Sequence, residues 1–426
     1  MALKIAIIGG GSAYAPGLIN SFIQKADVFQ DSELALMDIA EKELEIVSLL
    51  AQKMVKAKGA QIKITATQHQ KEAISGSNYV LSTFRQGGFQ ARYLDESIPL
   101  KYDVIGQETI GPGGFFFAMR TIPVIQSILE DIHSLAPGAV LVNYTNPTQI
   151  VAEAVTHFSD VPCISICDQT NADKENILTA MEMPDAHVDL ISVGLNHATW
   201  STVFTIDGED GVEVMNRNLK KVLSREDIDQ RVKRQFMLSQ LYGRLPNSYM
   251  QYYYYKDETL AEAKAAKKTR SQIIIDSLPG YYQHFQEQIQ AEVPILSHVR
   301  GGSIFGDMAV EVMSALVQNN GNIHTLNVPN RGALADFAPD RVVEVPARIE
   351  AKSATPIEQK KLPVEIMGLL QMLAAYQFLA AQAVWSGDQR SLEHALAANP
   401  LVMSISKAQK MLKEMVPLIQ PWLPKK

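Results

Sequence analysis

Two cysteines in 426 residues, Cys163 and Cys167, are too few and too close together to form a disulfide framework. Thiol chemistry or metal binding stays open to them. No run of about 18 uninterrupted apolar residues occurs, which argues against a membrane-spanning segment. Positive charge is in deficit as well: 39 Lys and Arg against 46 Asp and Glu give a net charge of −7, disfavouring nucleic acid and anionic membrane as partners. No leader of charged, apolar and small residues precedes the first apolar run, so a cytoplasmic compartment is expected. Internal repeats, low-complexity tracts and flexible linkers are also missing, which suggests two interleaved lobes. The chain is 46% hydrophobic and long enough to bury the core of two domains.

The most informative stretch is the first. Lys4-Ile5-Ala6-Ile7-Ile8 is a β-favouring run that passes directly into Gly9-Gly10-Gly11-Ser12. Such a strand, glycine turn and helix start bring backbone N–H groups against a pyrophosphate. Tyr14 stands where the third glycine of the usual fingerprint would be, so the loop alone is a weak signal. A second strand, Leu34-Ala35-Leu36-Met37-Asp38, strengthens it by closing on a carboxylate where the ribose hydroxyls of NAD would lie. The competing reading has Asp38 capping a helix over 41–58. Gly9, Gly10, Gly11, Ser12, Asp38 and Thr83 form the expected cofactor set.

Further apolar runs at 61–65, 79–83, 139–143 and 161–166 alternate with helical stretches at 40–58, 116–135, 148–157 and 172–182. This rhythm predicts an α/β fold, a Rossmann-like doubly wound parallel sheet over residues 1–195. Strand ends of such sheets line the ligand crevice. Thr83-Phe84-Arg85-Gln86-Gly87-Gly88, Asn143-Tyr144-Thr145-Asn146-Pro147 and Cys167-Asp168 should therefore face one cleft. Beyond Asn196 a strand pair near 202–206 leads into helical stretches from 214 to 290, at 307–318 and from 363 onward. Residues 196–426 are expected to form an α-rich α+β substrate domain.

Cys167 and His197 end consecutive strands and are flanked by Asp168 and Asn196. One thiolate and one imidazole are too few for structural zinc but suit a catalytic divalent ion completed by substrate oxygens. The plainer alternative is a buried free cysteine and a satisfied histidine.

Taken together, the glycine segment through Pro16, Ile98-Pro99-Leu100-Lys101-Tyr102 with Ile105-Gly106-Gln107-Glu108-Thr109 and Gly111-Pro112-Gly113-Gly114, Thr145-Asn146-Pro147, Cys167-Asp168 and Gly194-Leu195-Asn196-His197 closely resemble glycoside hydrolase family 4. The resemblance covers most of the chain and keeps the motif order. It implies an NAD- and Mn2+-dependent glycosidase acting on 6-phosphorylated glucosides or disaccharides. In such an enzyme hydride leaves C3, a base removes the C2 proton, the aglycone is eliminated, water adds, and hydride returns. By the same resemblance Cys167 and His197 hold Mn2+ or another divalent metal, and Tyr249 is the base. Asp168 is the general acid, and Arg92, Asn146 and Arg270 contact substrate. Without the family, Tyr249 to Tyr255 would read as an aromatic packing stripe, and Arg270 as part of a solvated basic face with Lys264, Lys267 and Lys268. Arg85 and Arg300 are further candidates without a role.

Asp168 slightly favours the 6-phospho-α-glucosidases. Cys167-Asp168-Gln169-Thr170 and Asn196-His197-Ala198-Thr199-Trp200 depart from the α pattern, however, and Arg300-Gly301-Gly302 is similar to the β branch. A 6-phospho-β-glucosidase and an unphosphorylated α-glycosidase are the alternatives within the family. Outside it stand an NAD-dependent hydroxy-acid dehydrogenase and a non-enzymatic nucleotide sensor. The family resemblance also implies a homodimer or homotetramer.

Overall fold

Ile5, Ala6 and Ile7 are fully buried, as the central strand of a sheet covered on both faces requires. In the computed structural model, which describes residues 2–296 and 306–423, they belong to β1 (Lys4–Ile8). The next five strands are β2 (Ser32–Met37), β3 (Ile62–Thr67), β4 (Tyr79–Ser82), β5 (Val140–Asn143) and β6 (Cys163–Ser165). They pair in parallel in the order β3-β2-β1-β4-β5-β6, the doubly wound arrangement expected from the sequence. Strand order reverses at β1 and β4, and the loops leaving the ends of β1, β4, β5 and β6 open on one crevice.

The sheet does not stop at β6. A hairpin of β7 (Val188–Leu195) and β8 (Ala198–Ile206), the short β9 (Glu209–Asp210), and β10 (Ile323–Pro329), β11 (Val342–Glu350) and β12 (Ser353–Pro356) extend it. The order continues β6-β10-β11-β7-β8-β9, with antiparallel pairing throughout this half and β12 attached to β11. The boundary expected at 195/196 falls in the turn of the β7–β8 hairpin, where Leu195 pairs with Ala198. The two strands read as consecutive, β6 and β7, are separated in the sheet by β10 and β11.

The helical stretch at 214–290 resolves into several helices, among them Gln230–Tyr242 and Arg270–Gln290. The helix Gly88–Leu100, which the sequence pattern did not reveal, carries Arg92 and Glu96. Near the C-terminus Val364–Ser386 is long and apolar enough to cross a membrane by length and composition, but it packs against the helices Thr148–Phe158 and Pro112–Leu135. Its Tyr376, Ala380 and Val384 share a core with Ala6, Ile8 and Leu141 of the parallel sheet.

Candidate active site

A cavity of about 1280 Å³ runs from the end of β1 across the sheet to the hairpin turn. Ser12, Thr83, Arg92, Asn146, Cys167, Asp168, His197, Tyr249 and Arg270 all line it, so most of the expected site meets in one place. Arg300 lies outside the described residues.

At the nucleotide end the glycines act differently from expectation. The N–H groups of Gly9 and Gly10 both donate to Met37 O at 2.9 Å, and Gly11 N donates to the Asp38 carboxylate at 3.0 Å. These amides tie the loop to the end of β2 and do not face the cavity. A side chain at Gly9 would meet Thr83 O at 2.6 Å, at a φ of +99° that L-residues rarely adopt. The surface offered to a ligand therefore starts one residue later, at Ser12, Ala13 and Tyr14, ahead of the helix Ala15–Gln24. Ser12 Oγ is buried without a partner among the described residues, which suits a ligand oxygen. Asp38 also accepts the Ala40 N–H at 3.0 Å, and the helix Glu41–Lys58 has Ala40 as its N-cap, so Asp38 is not that helix's cap. Glu43 and Tyr282 line the cavity at this end, and the Tyr282 hydroxyl donates to Gly11 O at 2.9 Å.

Behind the middle of the cavity, β6 and β7 each pair in register with the inserted strands at one residue, Ser165 with Asn327 and Gly194 with Glu344. Just beyond, the two chains converge, and Cys167 Sγ lies 3.2 Å from His197 Nε2. His197 sits at φ +59° in the turn between Leu195 and Ala198. Burial holds the imidazole down to about 4, so it is neutral at pH 7 and able to act as a ligand. Burial pushes the Cys167 thiol up to about 12, with the Glu344 carboxylate acting in the same direction, so a cation is needed to draw off its proton. No third His, Cys, Asp or Glu joins the pair into a metal-holding group among the described residues. The donor set thus fits an open divalent site whose other positions belong to water or substrate.

The Tyr249 ring stacks on His197 with centroids 4.2 Å apart. Its segment is pinned by Asn247, whose side chain accepts from Tyr249 N at 3.0 Å, and by Asp173, which accepts from Ser248 N at 2.9 Å. Burial raises the phenol well above its ordinary value, Tyr252 and Glu108 add to this, and Arg231 opposes it. Arg231 lines the same cavity without a salt bridge or hydrogen bond to its guanidinium among the described residues. The tyrosine run divides as the two readings proposed: Tyr249 and Tyr252 face the cavity, while Tyr253 to Tyr255 pack on the core.

Asp168 is the N-cap residue of the helix Gln169–Met181, but its side chain makes no capping bond; its Oδ2 instead accepts the Tyr144 hydroxyl. Burial, then Asp307 and Glu175, raise this carboxyl to about 6. Opposite it, Arg92 donates to Glu96 at 2.7 Å and sits 3.2 Å from Glu108, which also receives Arg85 at 2.6 Å. Burial would raise Glu108, but the two guanidiniums outweigh it and hold the group at about 2. Glu96 also accepts from Ser271 N at 2.9 Å, which brings Arg270 at the start of its helix to the same wall. The Asn146 oxygen accepts from Thr148 Oγ1 at 3.0 Å. Glu108 and Tyr144 were within sight as members of the quoted motifs, whereas Arg231 and Tyr282 carried no sequence signal.

Residues 4–183 match the model for the family 4 glycosyl hydrolases, and residues 192–402 match the model for the C-terminal domain of that family. The chain is 35% identical to a probable 6-phospho-beta-glucosidase of Bacillus subtilis (strain 168), over 99% of this chain and 97% of that protein. It is 32% identical to a 6-phospho-beta-glucosidase of Escherichia coli (strain K12), over 99% and 96%. Among solved structures, the 6-phospho-beta glucosidase of Thermotoga maritima with manganese, NAD+ and glucose-6-phosphate superimposes with a TM-score of 0.86 at 25% identity, covering 100% of both chains.

Proposed function

Because this chain belongs to family 4 of the glycosyl hydrolases, we propose that it hydrolyses 6-phosphorylated glucosides with NAD and a divalent ion, manganese foremost, as its cofactors. The observation that carries this reading is the single cavity in which a nucleotide loop, a thiol–imidazole pair, a phenol and a raised carboxylic acid meet. When bound, NAD+ supplies a reversible hydride acceptor and the divalent ion a Lewis acid for sugar oxygens, so that a C–H beside the oxidised carbon becomes acidic. Cys167 and His197 would hold the ion from the protein side. Ser12, with Thr83 across the loop, would face the dinucleotide, while Gly9, Gly10, Gly11 and Asp38 shape the turn behind them.

Tyr249 takes the C2 proton at its phenolic oxygen. In so buried a place a phenol works as a base only beside positive charge, which the ion and Arg231 provide. Asp168 gives its proton to the departing oxygen and then serves water as it returns. Arg92, fixed by Glu96 and Glu108, together with Asn146 and Arg270, binds hydroxyls and phosphate; a guanidinium offers paired donors in a fixed plane.

Asp168 favours the α-linked substrate with which the sequence reading began. A second reading, the β-linked substrate, is favoured by the names of the two relatives above. Nitrophenyl 6-phospho-α- and β-glucosides and their unphosphorylated counterparts, assayed side by side, separate the two. Hydrolysis is expected only for phosphorylated substrate with NAD+, Mn2+ and reductant, with solvent deuterium appearing at C2 and no stoichiometric NADH. Undiminished activity after chelation and NAD removal would overturn the mechanism, and NADH accumulating in step with product would identify a dehydrogenase.

A further inference from the structure

Trp422 closes the single turn Gln420–Trp422 that follows the helix Ile405–Ile419, and it has no part in the steps above. It stands 336 residues from Gln86, yet its carbonyl oxygen accepts from Gln86 Nε2 at 2.7 Å. Its indole lies on the next residue: a side chain begun at Gly87 would meet Trp422 Cγ at 3.1 Å and Cδ2 at 3.2 Å. Gly87 is the N-cap of the helix Gly88–Leu100 and has a φ of +84°. A left-handed backbone under an aromatic ring is a place that glycine fills without strain.

The two residues that Trp422 touches lie between guanidiniums of the cavity wall. Arg85 precedes Gln86, and Arg92 belongs to the second turn of the helix that Gly87 begins; both line the cavity, and Glu108 joins them, at 2.6 Å from Arg85 and 3.2 Å from Arg92. The rest of this segment is held from two further sides. The Gln86 carbonyl accepts from Arg120 Nε at 3.1 Å, and the same fully buried guanidinium grips Asp95 of the helix through its other two nitrogens, at 2.9 and 2.6 Å. Past the end of the helix, Lys101 and Tyr102 both donate to Glu414 of the helix Ile405–Ile419, the tyrosine at 2.6 Å. Removal of the indole therefore leaves the helix anchored at its middle and its far end. What it takes away is the stop against the first turn, next to Arg85 and Arg92.

We infer that Trp422 is a positioning residue for the wall that binds the phosphorylated sugar: its ring and carbonyl seat the turn Arg85–Gly87 and so fix where the two guanidiniums stand. The inference rests on the reading of Arg92 as a substrate contact.

The test uses the full chain, with glucose 6-phosphate as the probe in calorimetry, NAD affinity and the melting temperature measured in parallel, and KM and kcat on a nitrophenyl 6-phosphoglucoside. Trp422→Ala is expected to weaken glucose 6-phosphate binding about 10-fold, the scale of one slackened charge-assisted hydrogen bond, and to raise KM to match with kcat little changed. Trp422→Phe, which keeps an aromatic face on Gly87, is expected to restore both. Gln86→Ala should weaken the sugar phosphate in the same sense, and the double variant Gln86→Ala with Trp422→Ala should lose less than the product of the two separate losses, because both act on one turn. NAD affinity should stay at the wild-type value throughout. The inference is overturned if Trp422→Ala merely melts at a lower temperature and binds glucose 6-phosphate as wild type does, which is what packing alone would give. It is overturned equally if NAD affinity falls by the same factor, or if Trp422→Phe loses as much as Trp422→Ala. A wild-type chain that binds NAD but no glucose 6-phosphate would overturn the sugar-phosphate reading of the wall and this inference with it, a result distinct from the others.

Discussion

Burial in the same cavity raises both Asp168 and Tyr249, and the two groups respond to pH in different ways because only the carboxyl titrates near neutrality. Asp168 is raised to about 6 by burial and by Asp307 and Glu175, so it carries its proton below that value and loses it above. Delivery of a proton to the leaving oxygen must weaken as pH rises through this point. With a sugar or methyl aglycone, kcat/KM is expected to fall on the alkaline side of about pH 6, whereas a nitrophenyl aglycone, which leaves as a stable anion, should show little of that limb. Asp168→Asn should cost about 10²–10⁴-fold on the sugar aglycone and far less on nitrophenyl. Equal losses on both would remove Asp168 from the acid's role. At this scale the sequence was most legible where chemistry is concentrated in short motifs: Cys167, Asp168, His197 and Asn146 each stand at a strand end. Arg231 and Glu344 were not legible, since one lies in an ordinary polar helix and the other between valines in a strand, and only tertiary approach gives them meaning.

Among elements, the glycine turn after β1 is the most constrained by its neighbours. Gly9 combines φ +99° with a carbonyl oxygen 2.6 Å from where a side chain would begin. Gly59, which ends the helix Glu41–Lys58 at φ +65°, has nothing near it. Gly9→Ala should therefore lower the melting temperature and weaken NAD binding together, because relief of the clash moves β4 against the loop. Gly59→Ala should cost only about 1 kcal/mol of stability, the strain of its conformation, and leave NAD binding alone. Calorimetric melts and a NAD titration of both variants check this, and a Gly9→Ala protein with wild-type affinity would refute it. The first six strands could be read because they are apolar runs bounded by turn residues. Those at 323–356 escaped because β10 carries His324 and Asn327 and ends in Pro329, while β11 contains Pro346, residues that argue against a strand when seen alone. The helix Gly88–Leu100 escaped for a similar reason, with Pro99 inside it and a glycine at its start.

For the molecule as a whole, the question is whether residues 1–195 form a domain in the thermodynamic sense. The family models meet between 183 and 192, near the boundary expected from the sequence. The core tells a different story. Tyr376, Ala380, Val384, Met411, Met415 and Ile419 belong to the same buried cluster as Ala6, Ile8, Val80 and Leu141, and β10 covers the edge of β6. Burying a large apolar side chain contributes about 1.5–3 kcal/mol, so loss of even three or four such partners removes about 5–10 kcal/mol. That is comparable with the whole stability of an ordinary protein, about 5–15 kcal/mol. A fragment ending at Leu195 is therefore expected to lack a cooperative melt, to bind a hydrophobic dye and to bind no NAD. The intact chain should unfold in one transition, with the fluorescence of Trp200, buried on β8, and the loss of bound NAD coinciding. Two separated transitions, or a fragment that melts cooperatively and binds NAD, would show instead that the nucleotide half stands by itself and that the C-terminal helices are an addition to it.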